Sequence, residues 1–69
     1  MPERQFEFRV LGRLSDQARH AFAGMDVTEV PAETVICATV ARDGDVHAVL
    51  GLIQSLGLQV VSVERVPQT

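Results

Sequence analysis

The sequence predicts a single α+β domain in which the elements follow the order β-α-β-β-α-β. A run of alternating apolar and polar residues, 5–11, and a run that is apolar on both faces, 34–41, are typical of a half-buried and a fully buried strand. Each is followed by a stretch with the apolar spacing of a helix and then by another strand-like run. A chain of 69 residues makes one domain, residues 1–69.

The first strand and helix are predicted from alternation and capping residues. Gly12 ends the strand at residues 5–11, and Ser15 is expected to be the N-cap of the first helix. Gly24 lies where the C-terminal cap of a helix of about nine residues belongs. The strand residues expected to face the core are Phe6, Phe8 and Val10.

A hairpin is predicted to join the second and third strands. The strand at residues 25–30 is followed by Pro31, which suits the second position of a tight turn. The next strand, residues 34–41, has apolar residues on both faces, as expected for a strand in the middle of a sheet.

The second helix, residues 45–56, has apolar residues at the i, i+3, i+4 and i+7 positions of one face. Asp45 is expected to cap it. In the last strand, residues 58–66, the adjacent Val60 and Val61 break simple alternation, which predicts an edge position or a bulge.

Two β-α-β units with right-handed crossovers interleave into a four-stranded antiparallel sheet with both helices on one face, the ferredoxin-like fold. The first and third strands are expected to lie side by side in the centre of the sheet. A dimer in which two chains exchange these elements is the alternative arrangement.

Composition and charge narrow the functional classes. The net charge is −3 and all six basic residues are arginines, without a basic run, so the attraction to nucleic acid or an anionic membrane is missing. The absence of lysine excludes Schiff-base chemistry. Because the chain shows neither a signal sequence nor about 20 consecutive apolar residues, a soluble cytoplasmic protein is expected.

The titratable residues do not indicate catalysis or metal binding. The single cysteine, Cys37, lies in the apolar third strand and is expected to be a buried structural thiol. His20 and His47 are expected on the exposed faces of different helices, so they do not converge with Cys37 on a metal. We therefore expect no metal, no cofactor and no enzymatic activity.

The loop after the first strand is the predicted ligand site. It contains Gly12, Arg13 and Ser15 at the N-terminus of a helix, where N–H groups and the helix dipole favour an anion. Arg13 is suited to a two-pronged contact with a phosphate or carboxylate. The loop thus predicts a site for a small anionic ligand.

The same loop carries a family resemblance. A strand followed by Gly12-x-Leu14 and a helix resembles the start of an ACT domain, which implies a regulatory module that binds amino acids at a dimer interface. The Asp and Pro that usually precede the glycine are absent, because residues 9–11 are Arg-Val-Leu. The whole chain is similar to small uncharacterised ferredoxin-like proteins of actinobacteria, which implies no particular activity.

The face of the sheet away from the helices is the predicted interaction surface. Its apolar residues favour burial, and such a face is commonly covered by a second copy whose sheet packs roughly 10 Å away. We expect a non-catalytic domain that self-associates through this face in an adaptor or assembly role; the alternative is the ACT-like module. The residues expected at the interface are Arg9, Val35, Cys37, Thr39, Val60 and Ser62.

Overall fold

The computed structural model describes residues 3–67. The sheet has the order β2-β3-β1-β4, and its three strand pairings are all antiparallel. The predicted α+β ferredoxin-like class is confirmed, and β1 and β3 are the central strands as expected. The elements are β1 (Arg4–Leu11), α1 (Asp16–Ala21), β2 (Asp26–Val30), β3 (Glu33–Val40), α2 (Asp43–Ser55) and β4 (Val60–Arg65).

The core lies between the sheet and the two helices. Phe8 of β1 is opposite Ile36 of β3, and both side chains are completely buried. Ala18 of α1 and Ile53 of α2 belong to the same cluster of buried residues. Because both helices contribute to one cluster on the Phe8 side of the sheet, they cover the same face. Within residues 3–67, no helix covers the opposite face.

Helix α1 begins where the sequence predicts but ends earlier. Ser15 is the N-cap, and its Oγ accepts a hydrogen bond from the backbone N–H of Ala18 at 3.1 Å. The helix has six residues rather than about nine. After Ala21 the backbone hydrogen bonds span three residues instead of four, as in a 3₁₀ turn. For example, the Phe22 N–H donates to the Arg19 carbonyl at 3.1 Å.

Helix α2 begins two residues before the predicted start, so the prediction that Asp45 is its N-cap is wrong. Arg42 occupies the N-cap position, and Asp45 is the third helical residue. The Asp45 carboxylate accepts the backbone N–H groups of Ala41 and Arg42, both at 3.1 Å. These bonds lower the pKa of Asp45. The Asp45 side chain thus stabilises the N-terminus of α2 by accepting hydrogen bonds from the residues that precede the helix, which is one half of a capping box.

Strand β4 lies at the edge of the sheet and contains the predicted irregularity. Ser62 is opposite Arg9, but the next pair is Val60 with Val10, so Val61 is an extra residue in the ladder. Val60 consequently shares the face of Val10 and packs against the core. The prediction that Val60 lies on the uncovered face is wrong, because the bulge moves its side chain to the other side of the sheet.

The predicted hairpin between β2 and β3 is confirmed. Val30 is opposite Glu33, which leaves only Pro31 and Ala32 in the turn. Ala32 has a φ of 67°, in the left-handed region that suits glycine and strains a residue with a side chain.

Replacing Ala32 with glycine should therefore stabilise the protein. Relief of about 1–2 kcal/mol of backbone strain exceeds the roughly 0.5–1 kcal/mol that glycine's greater freedom costs, so we expect a small net gain in the free energy of unfolding by urea. The matched control is Ala48→Gly on the exposed side of α2, which should lose about 1 kcal/mol. Loss of stability in Ala32→Gly would show that the turn is not strained.

Candidate functional site

The open face of the sheet consists of the strand side chains on the side away from the helices. Its members come from all four strands, because the registers align alternate residues of each strand on that side. Of the predicted interface residues, all except Val60 lie on it. The members are Gln5, Glu7, Arg9, Leu11, Asp26, Thr28, Val30, Glu33, Val35, Cys37, Thr39, Ser62 and Glu64.

Four residues form the central block of the open face. Glu7 of β1 is opposite Cys37 of β3, and Arg9 is opposite Val35. Val35 is only 8% exposed and Cys37 is half-buried. The block therefore has a charged half on β1 and an apolar half on β3.

Arg9 holds the charged half together. Its guanidinium contacts a carboxylate oxygen of Glu33 at 3.2 Å and one of Glu7 at 3.1 Å. The hydrogen bond to Glu33, followed by the charge of Glu7, raises the pKa of Arg9. These contacts hold the guanidinium between Glu7 of β1 and Glu33 of β3, although partly exposed ion pairs of this kind add little stability.

The open face carries the net charge of the whole chain. Glu7, Asp26, Glu33 and Glu64 oppose the single cation Arg9, so the formal charge of the face is −3, equal to that of the chain. Glu7 also lies directly opposite Glu64, a pairing of like charges that destabilises a sheet. The face is thus more charged than the sequence pattern indicates. The formal charges of the remaining side chains sum to zero, because five arginines balance five acidic residues. These are Arg4, Arg13, Arg19, Arg42 and Arg65, and Glu3, Asp16, Glu29, Asp43 and Asp45.

Cys37 lies in a setting that suppresses its reactivity. Its neighbours across the two adjacent strands are Glu7 and Asp26. Burial, and then the negative charges of Glu7 and Asp26, raise the pKa of the Cys37 thiol. Because the thiolate is the nucleophile, this environment does not favour covalent catalysis by Cys37.

Gly12, in the predicted anion site, is held by hydrogen bonds within the protein. Its N–H donates to the carbonyl of Ala32 at 2.8 Å, and its own carbonyl accepts from the buried hydroxyl of Thr34 at 2.7 Å. Gly12 has a φ of 85°, which a residue with a side chain adopts only with strain. Through these two hydrogen bonds, Gly12 connects the end of β1 to the β2–β3 hairpin.

The other two residues of the predicted anion site also have partners inside the chain. Arg13 donates from Nε to Glu29 at 3.0 Å, and the Oγ of Ser15 is used as the N-cap of α1. No enclosed pocket is found in the part of the chain that the structure describes. The three residues share a loop, but they do not converge on a common cavity.

Glu29 of β2 forms ion pairs that the sequence pattern did not predict. Arg13 and Arg19 both form ion pairs with its carboxylate. The hydrogen bond from Arg19 is the largest of the effects that lower the pKa of Glu29. The three side chains connect the β1–α1 loop and α1 to the edge strand β2.

A metal site and a membrane span both lack support among residues 3–67. No group of three or more potential His, Cys, Asp or Glu ligands could hold a metal ion there. His20 and His47 are exposed on different helices, as predicted. No helix in this range is long and apolar enough to cross a bilayer.

The fold and the open face together define a small α+β domain of the ferredoxin-like class. Residues 5–64 match the family model described as a domain of unknown function (DUF8691). The match covers most of the 69 residues, and the chain belongs to this family. No curated protein and no solved structure matches the chain.

The Glu29 ion pairs should make stability depend on pH. Because the folded-state pKa of Glu29 is lowered, its stabilisation is present above the unfolded value of about 4.3 and is lost as pH falls through the folded pKa. We expect Glu29→Gln to lower the urea midpoint at neutral pH, and the difference from the unmodified protein to shrink in acid.

The matched control for this prediction is Glu64→Gln. It removes a carboxylate opposite Glu7, so the neutral-pH midpoint should stay unchanged or rise. An equal loss of stability in Glu29→Gln at neutral and acid pH would contradict the proposed role of the Glu29 charge.

Proposed function

We propose that the protein is a non-catalytic domain that self-associates through the open face of its sheet, in an adaptor or assembly role. The observation that carries the proposal is the one-sided cover of the sheet: both helices pack on the Phe8 side. The other side carries the central block of Glu7, Arg9, Val35 and Cys37, and no helix within residues 3–67 covers it. Faces of this kind commonly pack against a second sheet roughly 10 Å away.

The size of the open face indicates the strength of the association. Four strands spaced about 4.8 Å apart, with a rise of about 3.4 Å per residue, give a flat footprint of roughly 400 Å². A standard interface buries about 800 Å² on each partner. A second copy on this face would therefore form a weak, reversible dimer rather than an obligate one.

The chemistry of the side chains supports binding rather than catalysis. The raised pKa of Cys37 keeps its thiol protonated and weakly nucleophilic. His20 and His47 lie on separate helices, so they do not form a nucleophile–base pair with Cys37.

The ACT-like alternative, an anionic ligand held by Gly12, Arg13 and Ser15, stays a prediction. The polar contacts of these residues within the chain do not favour it. A thermal shift with inorganic phosphate or amino acids that disappears in Arg13→Ala would support the alternative, because ligand at about 100 times its Kd adds about 2.7 kcal/mol.

The position of Cys37 allows a direct test of self-association. Light scattering over a concentration series up to about 1 mM, in the range of weak affinities, should show a mass that rises towards that of a dimer. A bulky maleimide on Cys37, at the centre of the open face, should keep the protein monomeric because it prevents the two sheets from approaching.

The control carries the same maleimide on the exposed side of α2, in the double variant Cys37→Ser/Gln54→Cys. This adduct should still associate. Circular dichroism establishes that both adducts are folded. A monomeric mass for the unmodified chain at every concentration, or equal association of the two adducts, would overturn the proposal.

A further inference from the structure

The registers arrange the open face in rows that cross the strands. The acidic row contains three carboxylates and the thiol: Asp26, Cys37, Glu7 and Glu64. The adjacent arginine row lies two residues further along each strand and contains Thr28, Val35, Arg9 and Ser62. About 6.8 Å separates the two rows.

A twofold axis parallel to the strands would make a poor dimer. In an isologous interface the same patch occurs on both copies, and rotation about such an axis leaves every row at its own level. The acidic row of one copy would then lie on the acidic row of the other. The two facing acidic rows would together hold six carboxylates and no cation, and such juxtaposition of like charges opposes binding.

A twofold axis that crosses the strands midway between the two rows gives the opposite result. Rotation about it exchanges the levels of the rows and places β1 over β1 and β3 over β3 of the second copy. Glu7 then faces Arg9 of the second copy, and Cys37 faces Val35 of the second copy. By symmetry each contact occurs twice, so the central block is complementary to itself.

We infer that the two copies pack with their β1 strands antiparallel, about an axis that crosses the sheet between Glu7 and Arg9. This inference rests on the proposed self-association, and it identifies Glu7 and Arg9 as the residues that determine how the two copies are oriented. Arg9 uses two of its nitrogens within its own chain, and the five N–H donors of a guanidinium leave others for Glu7 of the second copy.

The charge of the face sets the conditions of the test. Each open face carries a formal charge of −3, which opposes the approach of two copies at low salt. At about 0.15 M salt the Debye length is about 8 Å, so the overall repulsion is screened while contacts between adjacent charges persist.

A charge exchange between Glu7 and Arg9 tests the inferred geometry. All variants carry Glu33→Gln, which removes the ion pair that Arg9 makes with Glu33 and gives every chain the same reference. In this background, Glu7→Arg places two arginines face to face and Arg9→Glu places two glutamates face to face. Each single change should weaken dimerisation at least tenfold in light scattering at about 0.15 M salt.

The double variant Glu7→Arg/Arg9→Glu should restore dimerisation to within a few-fold of the reference. It exchanges the charges but keeps an unlike pair at each contact, and circular dichroism checks that every variant is folded. Recovery only in the double variant supports the antiparallel geometry. If the reference is a dimer but the single changes have no effect, or the double variant fails to recover, the geometry is wrong. If the reference and the unmodified chain are both monomeric, self-association itself is wrong.

Discussion

The burial of Phe8 against Ile36 is the contact on which the rest of the structure depends. The two side chains lie opposite each other on the central strands and are completely buried, and full burial of such a side chain contributes about 1.5–3 kcal/mol. Both helices pack over this pair. Because α1 and α2 both lie on this side of the sheet, the alternate residues on the other side are not covered by either helix.

The contacts around the β1–α1 loop follow from the same architecture. Gly12 and Thr34 tie the end of β1 to the neighbouring hairpin, and Glu29 links β2 to two arginines of the loop and helix. Of the anion site predicted from the sequence, the Gly12 backbone, the Arg13 Nε and the Ser15 hydroxyl are thus engaged within the chain. The loop is therefore part of the framework that holds β1, α1 and the hairpin together.

The fold was predictable because its signals are local, whereas the details of the surface depend on strand register. Alternation along β1 and the spacing of apolar residues in α2 identify those elements directly. The bulge that turns Val60 inward depends on how β4 aligns with β1. The position of Asp45 depends on where the chain leaves β3. The pairing of Glu29 with Arg13 joins residues distant in sequence, and no periodicity reports it.

The rate at which Cys37 is alkylated tests most directly whether a second copy covers the open face. Iodoacetamide is uncharged and small, so its rate constant per thiol reports access to the centre of the face, where Cys37 is half-buried in the single chain. At alkaline pH, chosen because burial raises the pKa of this thiol, the rate constant should fall as protein concentration rises. A rate constant that stays the same from dilute to concentrated solution would contradict the account.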